Sequence, residues 1–378
     1  MDYTKKSLEI HKSNRGKIGI TSKVPLRTRS DLSIAYTPGV GAVSSVISKN
    51  KKKSWEFTNR SNQVAIVSDG TAVLGLGNLG PEASMPVMEG KAAIFKKFAD
   101  IDAFPLCINT TDTEEIIKFC KHIEPSFGGI NLEDISAPRC FEILSRLEKE
   151  LSIPVFHDDQ DGIAVVVLAA LINICRLTSK PLKKLKIVIN GAGAAGIAIS
   201  RLLVNRGIND IILLDSRGTI YEGRINLNKF KEEIARVTNP KKRNCGLSDA
   251  MLGADVFIGV SKGNLVNGAM VKSMSRNPII LALANPVPEI MPDVAFGAGA
   301  AIVGTGRSDL PNQINNTLVF PGIFRGLLDG RTKRITIEMK VRIAKAIAYS
   351  IKPSKNKILP GITEKKVVGV ITKAVKKT

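Results

Sequence analysis

The stretch Lys186 to Gly196, KIVINGAGAAG, decides the fold. It opens with a β-type apolar run, KIVI, and passes into three glycines with the spacing G-x-G-x-x-G. An apolar helical pattern follows over 197–205, and a second apolar run, 211–214, ends at Asp215. A strand, a glycine-rich turn, a helix and a strand that ends in an acid, within about 30 residues, form the pattern of a dinucleotide-binding unit.

Each glycine of this turn has its own physical task. Gly191 allows the tight turn, Gly193 lets a pyrophosphate approach the backbone, and Gly196 lets the helix pack close to the strand. We assign the intervening Ala194 and Ala195 to the same cofactor-binding turn, because a helix N-terminus offers free N–H groups to phosphates. The alternative is an ordinary turn in a domain that binds no nucleotide. The flanking strands and the terminal acid favour binding.

Length and composition indicate a soluble globular protein with room for two domains. The chain has 378 residues, of which 44% are apolar and 24% charged, and its net charge is +21. Basic residues outnumber acidic ones 13 to 4 in 1–60 and 14 to 2 in 331–378. Such a balance can indicate nucleic acid, an anionic membrane or anionic substrates. We favour a solvated basic surface and no nucleic-acid partner, because few aromatic residues are present for base stacking.

The cysteines and the N-terminal segment favour a cytoplasmic protein without membrane contact. The longest apolar run, 162–175, has 14 residues, which is too short to span a bilayer. The segment MDYTKKSLEI lacks the apolar stretch of a signal peptide. The cysteines show no metal-binding spacing, so we expect reduced thiols. They are Cys107, Cys120, Cys140, Cys175 and Cys245.

Alternation of strand and helix patterns predicts an α/β protein with a largely parallel sheet. We expect a smaller N-terminal α/β domain, 1–155, followed by a Rossmann-type doubly wound dinucleotide-binding domain with a C-terminal helical tail, 156–378. A basic arm covers 1–30, Ser30-Asp31 caps the next element, and a helix begins near Pro86. Strands are predicted at 63–68, 102–108, 129–132, 155–156, 186–189, 211–214, 255–260, 278–284 and 301–303. Further helices are predicted at 113–122, 138–151 and 162–177.

Two pairs of acids follow predicted strands, where parallel sheets collect ligand-binding groups. Glu133-Asp134 follow one strand and Asp158-Asp159 follow the next. Neighbouring carboxylates repel each other unless a cation joins them, and such oxygen ligands suit Mg²⁺ or Mn²⁺. The alternative is helix N-capping, which Asp134 and Asp161 are both able to perform. The repetition of the pattern at two strand ends favours a metal.

Four polar residues stand in unusual surroundings. Lys91 lies in an apolar helical stretch behind a glycine-rich loop, where desolvation lowers the proton affinity of a lysine. The alternative is a lysine that reaches the surface. Tyr36, at a turn, is a proton donor or a packing residue. Asn285 and Asn315 are ligands for a carboxylate or an amide, or simple caps.

Several segments in order, covering about residues 10–330, resemble malic enzymes of the short prokaryotic type. The resemblance implies metal-dependent oxidative decarboxylation of L-malate to pyruvate and CO2 with NAD or NADP, in a homodimer. The segments are SIAYTPGV, DGTAVLGLGNLGPEASMPVMEGKAAIFKKF, EPSFGGINLEDISAPRCFEI, FHDDQDGIAVV, KIVINGAGAAGIAI, ALANPVPEIMP and TGRSDLPNQINNTLVFPGIFRG.

The resemblance also implies roles for individual residues. Lys91 corresponds to the general base, which removes the 2-hydroxyl proton as hydride passes to the nicotinamide. Tyr36 corresponds to the general acid, which protonates C3 after CO2 departs. The corresponding metal ligands are Glu133, Asp134 and Asp159.

Other correspondences are less direct. Asp158 matches a carboxylate behind the metal ligands, and Asn285 and Asn315 match contacts to substrate or nicotinamide. The family pattern DDQHGTA is altered here, because Asp161 replaces a histidine and Ile163 replaces a threonine. We therefore expect Asp161 to add negative charge beside the metal.

Asp215 bears on the choice of cofactor. A carboxylate at this strand end accepts hydrogen bonds from the ribose hydroxyls of NAD and repels the 2′-phosphate of NADP. Arg217 opposes that repulsion. We expect NAD, with NADP possible.

Two other functions stay open. One is an oxaloacetate decarboxylase or a simple malate dehydrogenase that has lost half of the reaction. The other is an inactive or nucleic-acid-binding derivative of the same scaffold, which would bind nucleic acid in a strongly salt-dependent way.

Overall fold

The computed structural model describes residues 3–364 and 366–376. Its first segment is an arm of four short helices, none of whose described residues is buried. The N-cap of the second helix is Thr28, whose side chain accepts a hydrogen bond from Asp31 N. The Asp31 side chain in turn accepts a hydrogen bond from Thr28 N. The predicted Ser30-Asp31 cap was therefore wrong, because Asp31 occupies the third helical position of a capping box. The arm helices are α1 (Tyr3–Asn14), α2 (Arg29–Ala35), α3 (Val40–Lys49) and α4 (Ser54–Phe57).

A four-stranded, fully parallel sheet follows the arm, in the order β2-β1-β3-β4. Its central strands are continuous apolar runs because helices cover both faces of a parallel sheet. The strands are β1 (Gln63–Ser68), β2 (Asp102–Cys107), β3 (Gly129–Leu132) and β4 (Val155–His157). The helices are α5 (Pro81–Ala99), α6 (Thr113–Ile123) and α7 (Arg139–Glu150).

Helix α5 begins five residues before the predicted start. Gly80 has φ +83° and Pro81 occupies the first helical position, where its missing N–H has no consequence. Pro86, which the sequence suggested as the start, lies inside the helix. The earlier start adds more than one turn ahead of Lys91.

The second sheet has six strands in the order β10-β9-β8-β5-β6-β7, all parallel except β7. The order reverses beside β5, which is the doubly wound arrangement predicted from the glycine-rich turn. The α/β fold class is thus confirmed. The strands are β5 (Ile187–Asn190), β6 (Ile211–Asp215), β7 (Gly218–Thr219), β8 (Val256–Gly259), β9 (Ile279–Ala282) and β10 (Ile302–Thr305). The helices are α8 (Ile163–Thr178), α9 (Ala194–Asn205), α10 (Lys229–Ala235), α11 (Leu247–Met251), α12 (Gly268–Ser273) and α13 (Pro292–Gly297).

Helix α8 is preceded by one π-helical turn, Asp158–Gly162. The combined helical run of 21 residues is longer than the apolar run read from the sequence, and it has the length and composition of a membrane-crossing helix. In the fold, however, 67% of its most apolar window is buried. This is the burial of a core helix, and the run packs mainly against the C-terminal helix Ile337–Tyr349 and against α9.

The last three helices are α14 (Phe320–Gly330), α15 (Ile337–Tyr349) and α16 (Lys366–Lys376). Helix α14 returns to the first sheet, where Phe324 lies 5.3 Å from Phe95 and 5.9 Å from Phe156 between ring centroids. A Cβ at Gly326 would lie 2.5 Å from Val375, so glycine permits α14 and α16 to pack closely. One hydrophobic core therefore joins both sheets. The division of the chain at 155/156 stays a prediction.

Candidate active site

A cleft of about 770 Å³ is lined by residues that follow strands of both sheets. Glu133 and Asp134, after β3, lie on one side of it. Asn285, after β9, and the turn between β5 and α9 lie on the other. Because every strand flanking the cleft is parallel, the carboxyl ends of both sheets meet there, as expected for ligand sites of this architecture.

Three carboxylates converge in the cleft. One oxygen from each of Glu133, Asp134 and Asp159 lies within 4.8 Å of the others. The cluster is held by the backbone, since Asp134 N donates to Asp159 Oδ2 at 2.9 Å. Asp134 has φ +52°, a left-handed conformation that aspartate tolerates better than most residues. The acids that the sequence placed at two separate strand ends thus form one group.

The electrostatics of this cluster favour a cation. Burial, together with repulsion from Asp159, raises the pKa of Asp134 to about 8. Burial also raises the pKa of Glu133 well above its usual range, although Lys91 opposes the shift. Asp134 Oδ2 is buried without a hydrogen-bond partner in the described structure. A divalent ion would satisfy that oxygen and relieve the repulsion, and the all-oxygen donor set fits Mg²⁺ or Mn²⁺.

Lys91 is buried at the back of the cluster. Its Nζ lies 2.8 Å from Glu133 Oε2, donates to Asp158 Oδ2, and lies 4.1 Å from the centroid of the Phe320 ring. Burial alone would lower the pKa of Lys91, but the carboxylates of Asp158 and Glu133 raise it above the usual range. The expected lowered proton affinity was therefore wrong for the chain alone. The apolar helical pattern revealed the burial but not the two carboxylates.

Asp158 is the principal partner of Lys91 rather than a distant support. Its side chain is fully buried, and burial raises the pKa of Asp158 to about 6 against the opposing charge of Lys91. Asn131 was not predicted, yet its Nδ2 donates to Glu133 Oε2 at 2.9 Å. Both Asn131 and Lys91 contact the same oxygen of Glu133. The sequence did contain an indication of this contact. Asn131 lies on β3 two residues before Glu133, and side chains two residues apart along a strand point to the same face.

The glycine-rich turn has the predicted form. A Cβ at Gly196 would lie 1.8 Å from Gly191 O, so only glycine allows this contact between helix and turn. A Cβ at Gly193 would meet nothing within 4 Å, which leaves its backbone open to a ligand. Helix α9 begins at Ala194, three residues earlier than predicted, and has no side-chain cap. Ala194 and Ala195 therefore line the cleft with free helix N–H groups.

The two asparagines line the same cleft but differ in their contacts. Asn315 Oδ1 accepts from Thr317 N at 2.9 Å and from Thr317 Oγ1 at 2.6 Å, and Asn315 Nδ2 donates to Gly306 O at 3.3 Å. Asn315 thus acts as a cap, the alternative left open by the sequence. Asn285 packs against the loop after β10, because a Cβ at Gly306 would lie 2.8 Å from Asn285 Nδ2.

Glu289 was missed by the sequence reasoning, although it ends the segment ANPVPE. Its buried carboxylate accepts from Ser261 N and Ala284 N, each at 3.1 Å. Those two residues follow β8 and β9 and line the cleft. Burial raises the pKa of Glu289 to about 7, although both backbone donors oppose the shift. Glu289 therefore holds two cleft loops together.

Asp161 has its own counter-charge. Lys340 Nζ, on α15, lies 2.6 Å from Asp161 Oδ1, and both side chains are mostly buried. Asp161 does not belong to the group of converging carboxylates formed by Glu133, Asp134 and Asp159. The ammonium group of Lys340 therefore largely compensates the negative charge that Asp161 would otherwise add near Glu133, Asp134 and Asp159. The sequence alone did not show this pairing.

Tyr36 lies outside the cleft. It is the C-cap residue that follows α2, and it is 71% exposed. The arm nevertheless reaches the cleft through Ser7, His11 and Lys17. Lys17 Nζ donates to Pro86 O at 2.5 Å, which fixes this part of the arm to α5.

Comparison with known proteins identifies the architecture. The family model described as malic enzyme, N-terminal domain, matches residues 15–148, and that described as malic enzyme, NAD binding domain, matches residues 160–378. The chain is 51% identical to a bifunctional malic/malolactic enzyme of Bacillus subtilis, over 100% of this chain and 93% of the relative. It is 52% identical to an NAD-dependent malic enzyme of Geobacillus stearothermophilus, over 95% and 76%. The crystal structure of an NAD-dependent malic enzyme from Thermotoga maritima matches with a TM-score of 0.95 and 50% identity, over 98% of both chains.

Proposed function

The chain belongs to the malic enzyme family, and from this premise we propose how its cleft carries out the oxidative decarboxylation of malate with NAD or NADP. One observation carries the proposal. The lysine and carboxylate cluster of the first sheet and the glycine-rich turn of the second line a single cleft. A malate bound to the cluster is therefore adjacent to a nicotinamide whose pyrophosphate lies on the turn.

Glu133, Asp134 and Asp159 hold Mg²⁺ or Mn²⁺ in this proposal. When bound, the ion acts as a Lewis acid on the C2 oxygen and stabilises the negative charge that develops as CO2 leaves. The chain supplies the fixed geometry. Asn131 and the backbone N–H of Asp134 orient two of the carboxylates, and the burial of Glu133 and Asp134 limits their contact with water.

Lys91 transfers the hydroxyl proton. Lys91 must be neutral to act as the base, and a cation on Glu133 would favour release of the lysine's own proton to solvent. Neutral Lys91 would then take the 2-hydroxyl proton while a bound nicotinamide takes the C2 hydride, so that C2 becomes a carbonyl. Glu133 is both a partner of Lys91 and a proposed metal ligand, so engagement of Glu133 by the ion leaves Asp158 as the main partner of the lysine. Asp158 keeps Lys91 directed into the cleft throughout. Loss of CO2 then gives an enolate that is protonated at C3.

We assign the C3 protonation to Tyr36 supplied by a second subunit. Within one chain Tyr36 is exposed and outside the cleft. The arm helices bury none of their described side chains and expose apolar residues, an arrangement that a homodimer would cover. The exposed apolar residues of the arm include Leu8, Ile20, Leu26, Leu32 and Ile34.

Turnover tests the reaction. Protein supplied with L-malate, Mn²⁺ and either cofactor should produce reduced nicotinamide and pyruvate in equal amounts. Reduced nicotinamide without pyruvate would indicate a simple malate dehydrogenase. Pyruvate from oxaloacetate without oxidation of malate would indicate a decarboxylase that has lost the first half of the reaction.

Mixed dimers test the origin of Tyr36. The variants Tyr36→Phe and Lys91→Ala should each be inactive alone, whereas their co-expression should restore about a quarter of wild-type activity, because half of the dimers carry one intact cleft. If Tyr36 serves its own chain, the mixture stays inactive.

We further propose a cytoplasmic location and no nucleic-acid partner. The five cysteines are free thiols, which agrees with a reducing compartment. Nucleic-acid binding that falls steeply with salt would contradict the proposal.

A further inference from the structure

The carboxylate of Asp215 forms ion pairs with two cationic side chains. Arg224 Nη2 donates to Oδ1 at 2.8 Å, and Lys231 Nζ donates to Oδ2 at 2.7 Å. The side chains of Asp215 and Arg224 are each 10% exposed and that of Lys231 is 22% exposed. Arg217 N also donates to Oδ1 at 2.9 Å. These contacts lower the pKa of Asp215 even though its burial favours the neutral acid.

This arrangement removes the reason to expect that Asp215 selects NAD. An ionised carboxylate oxygen accepts about two hydrogen bonds, so Oδ1 is filled by Arg224 and the Arg217 backbone. Only one acceptor position, on Oδ2, is left for two ribose hydroxyls. The negative charge that would repel a 2′-phosphate is also offset at contact distance by two cations, where screening by salt is weak.

The surroundings of Asp215 form a second cleft of about 600 Å³, beyond the carboxyl ends of β5 and β6. Asp215, Ser216 and Arg217 line it, as does Asn190 at the end of β5. Ser216 and Arg217 are exposed. Arg217 is therefore free to meet a ligand in the cleft, while Arg224 and Lys231 hold Asp215 from other directions.

We propose that this cleft binds the 2′-phosphate of NADP, and that the chain uses NADP in preference to NAD. Arg217 and Ser216 contact the phosphate, since guanidinium and hydroxyl groups are good phosphate donors. Arg224 and Lys231 are positioning residues that act through Asp215 by cancelling its charge. The site then combines one carboxylate with three cationic side chains, Arg217, Arg224 and Lys231. The resulting net positive charge suits a dianionic phosphate. The inference rests on the proposed function only for the identity of the cofactor.

Binding of nucleotide fragments tests the inference without any turnover. Calorimetry with adenosine 2′,5′-bisphosphate and with 5′-AMP measures the contribution of the 2′-phosphate directly. We expect the wild type to bind the bisphosphate at least about tenfold more tightly, a difference of about 1.4 kcal/mol. Equal or weaker binding of the bisphosphate would overturn the inference, while malate turnover with NAD would still support the proposed function.

Variants separate the roles. Arg217→Met and Lys231→Met should each reduce the bisphosphate-to-AMP affinity ratio at least about fivefold, whereas Lys231→Arg should keep it. A merely structural role of Lys231 would weaken both nucleotides equally. Lys229→Met is the control, because Lys229 is exposed on the same helix and its replacement changes the net charge equally. An equal effect of Lys229→Met, or an unchanged ratio in Lys231→Met, would contradict the assignment.

Discussion

Two ionic clusters follow strand ends of the two sheets, and their charge balances are opposite. In the first, four carboxylates surround one ammonium group. In the second, one carboxylate is held by two cations. Both begin with an acid after a parallel strand, so the strand end alone does not determine the ligand. The charged side chains that other segments place beside the acid determine which ligand is attracted. The first cluster, with its excess of carboxylates, attracts a cation, whereas the second, with its excess of cations, attracts an anion.

Removal of the single cation from the first cluster should have the largest effect. Lys91→Ala should reduce malate turnover by about 10³-fold, within the range for loss of a proton-transferring group, while nucleotide binding stays unchanged. Steady-state assays and nucleotide titration measure both. Lys96→Ala is a matched control, because the Lys96 side chain is 55% exposed on the same helix. Retention of more than a few per cent of turnover in Lys91→Ala would exclude the assigned role.

Removal of one carboxylate should affect metal binding directly. Asp159→Asn should weaken Mn²⁺ binding at least about 100-fold, more than the loss of a supporting contact. Asp159 is chosen because its carboxylate lies against Asp134 N at 2.9 Å and His157 Nδ1 at 3.9 Å, and makes no ion pair with Lys91 in the described structure. Calorimetric titration with Mn²⁺ reads the effect independently of turnover. Wild-type activity after exhaustive chelation would show that the cluster needs no metal.

The buried carboxylate of Glu289 has no cationic partner among the described residues, and the stability of the fold should therefore depend on its protonation. Its folded-state pKa of about 7 exceeds the ordinary value of 4.5, so protonation stabilises the fold below pH 4.5. That contribution is lost as the pH rises through 7. Between pH 5 and 8 the free energy of unfolding of the wild type should fall by about 2–3 kcal/mol relative to Glu289→Gln. Denaturant titrations at each pH measure it.

Glu232→Gln is the control for this pH experiment, because Glu232 is exposed on α10. Its pH profile should follow that of the wild type. Parallel profiles of the wild type and Glu289→Gln would show that Glu289 is hydrated in solution.

The smallest effect is expected at Asp161. Its pairing with Lys340 places a nearly neutral ion pair near the first cluster. Asp161→Asn should weaken Mn²⁺ binding by less than about fivefold, since a compensated charge contributes little at a distance. The same Mn²⁺ titration measures the change. A loss comparable to that of Asp159→Asn would place Asp161 among the metal ligands.

Local sequence patterns predicted the fold well, but they did not predict which charged side chains pair with each other. The turn at Gly191 was predictable because strand, turn and helix are consecutive. The partners of Lys91 are not local, since Asp158 lies 67 residues further along the chain. Lys340 and Asp161 come from separate elements, so no pattern near either residue indicates their pairing. Helix α5 was placed too late because Pro81 and Pro86 are both plausible first helical residues, and only the conformation of Gly80 distinguishes them.

The return of α14 to the first sheet has a consequence for synthesis on the ribosome. Phe324 completes the packing around Phe95 and Phe156, yet it is translated 168 residues after Phe156. At a translation rate of about 5–20 residues per second, the apolar surface of the first sheet stays uncovered for roughly 10–30 s after Phe156 has been synthesised. We expect nascent chains ending near residue 310 to be protease-sensitive and to recruit chaperones, and full-length chains to be resistant. Protection of the first sheet in such a truncated chain would show that it folds before its last helix arrives.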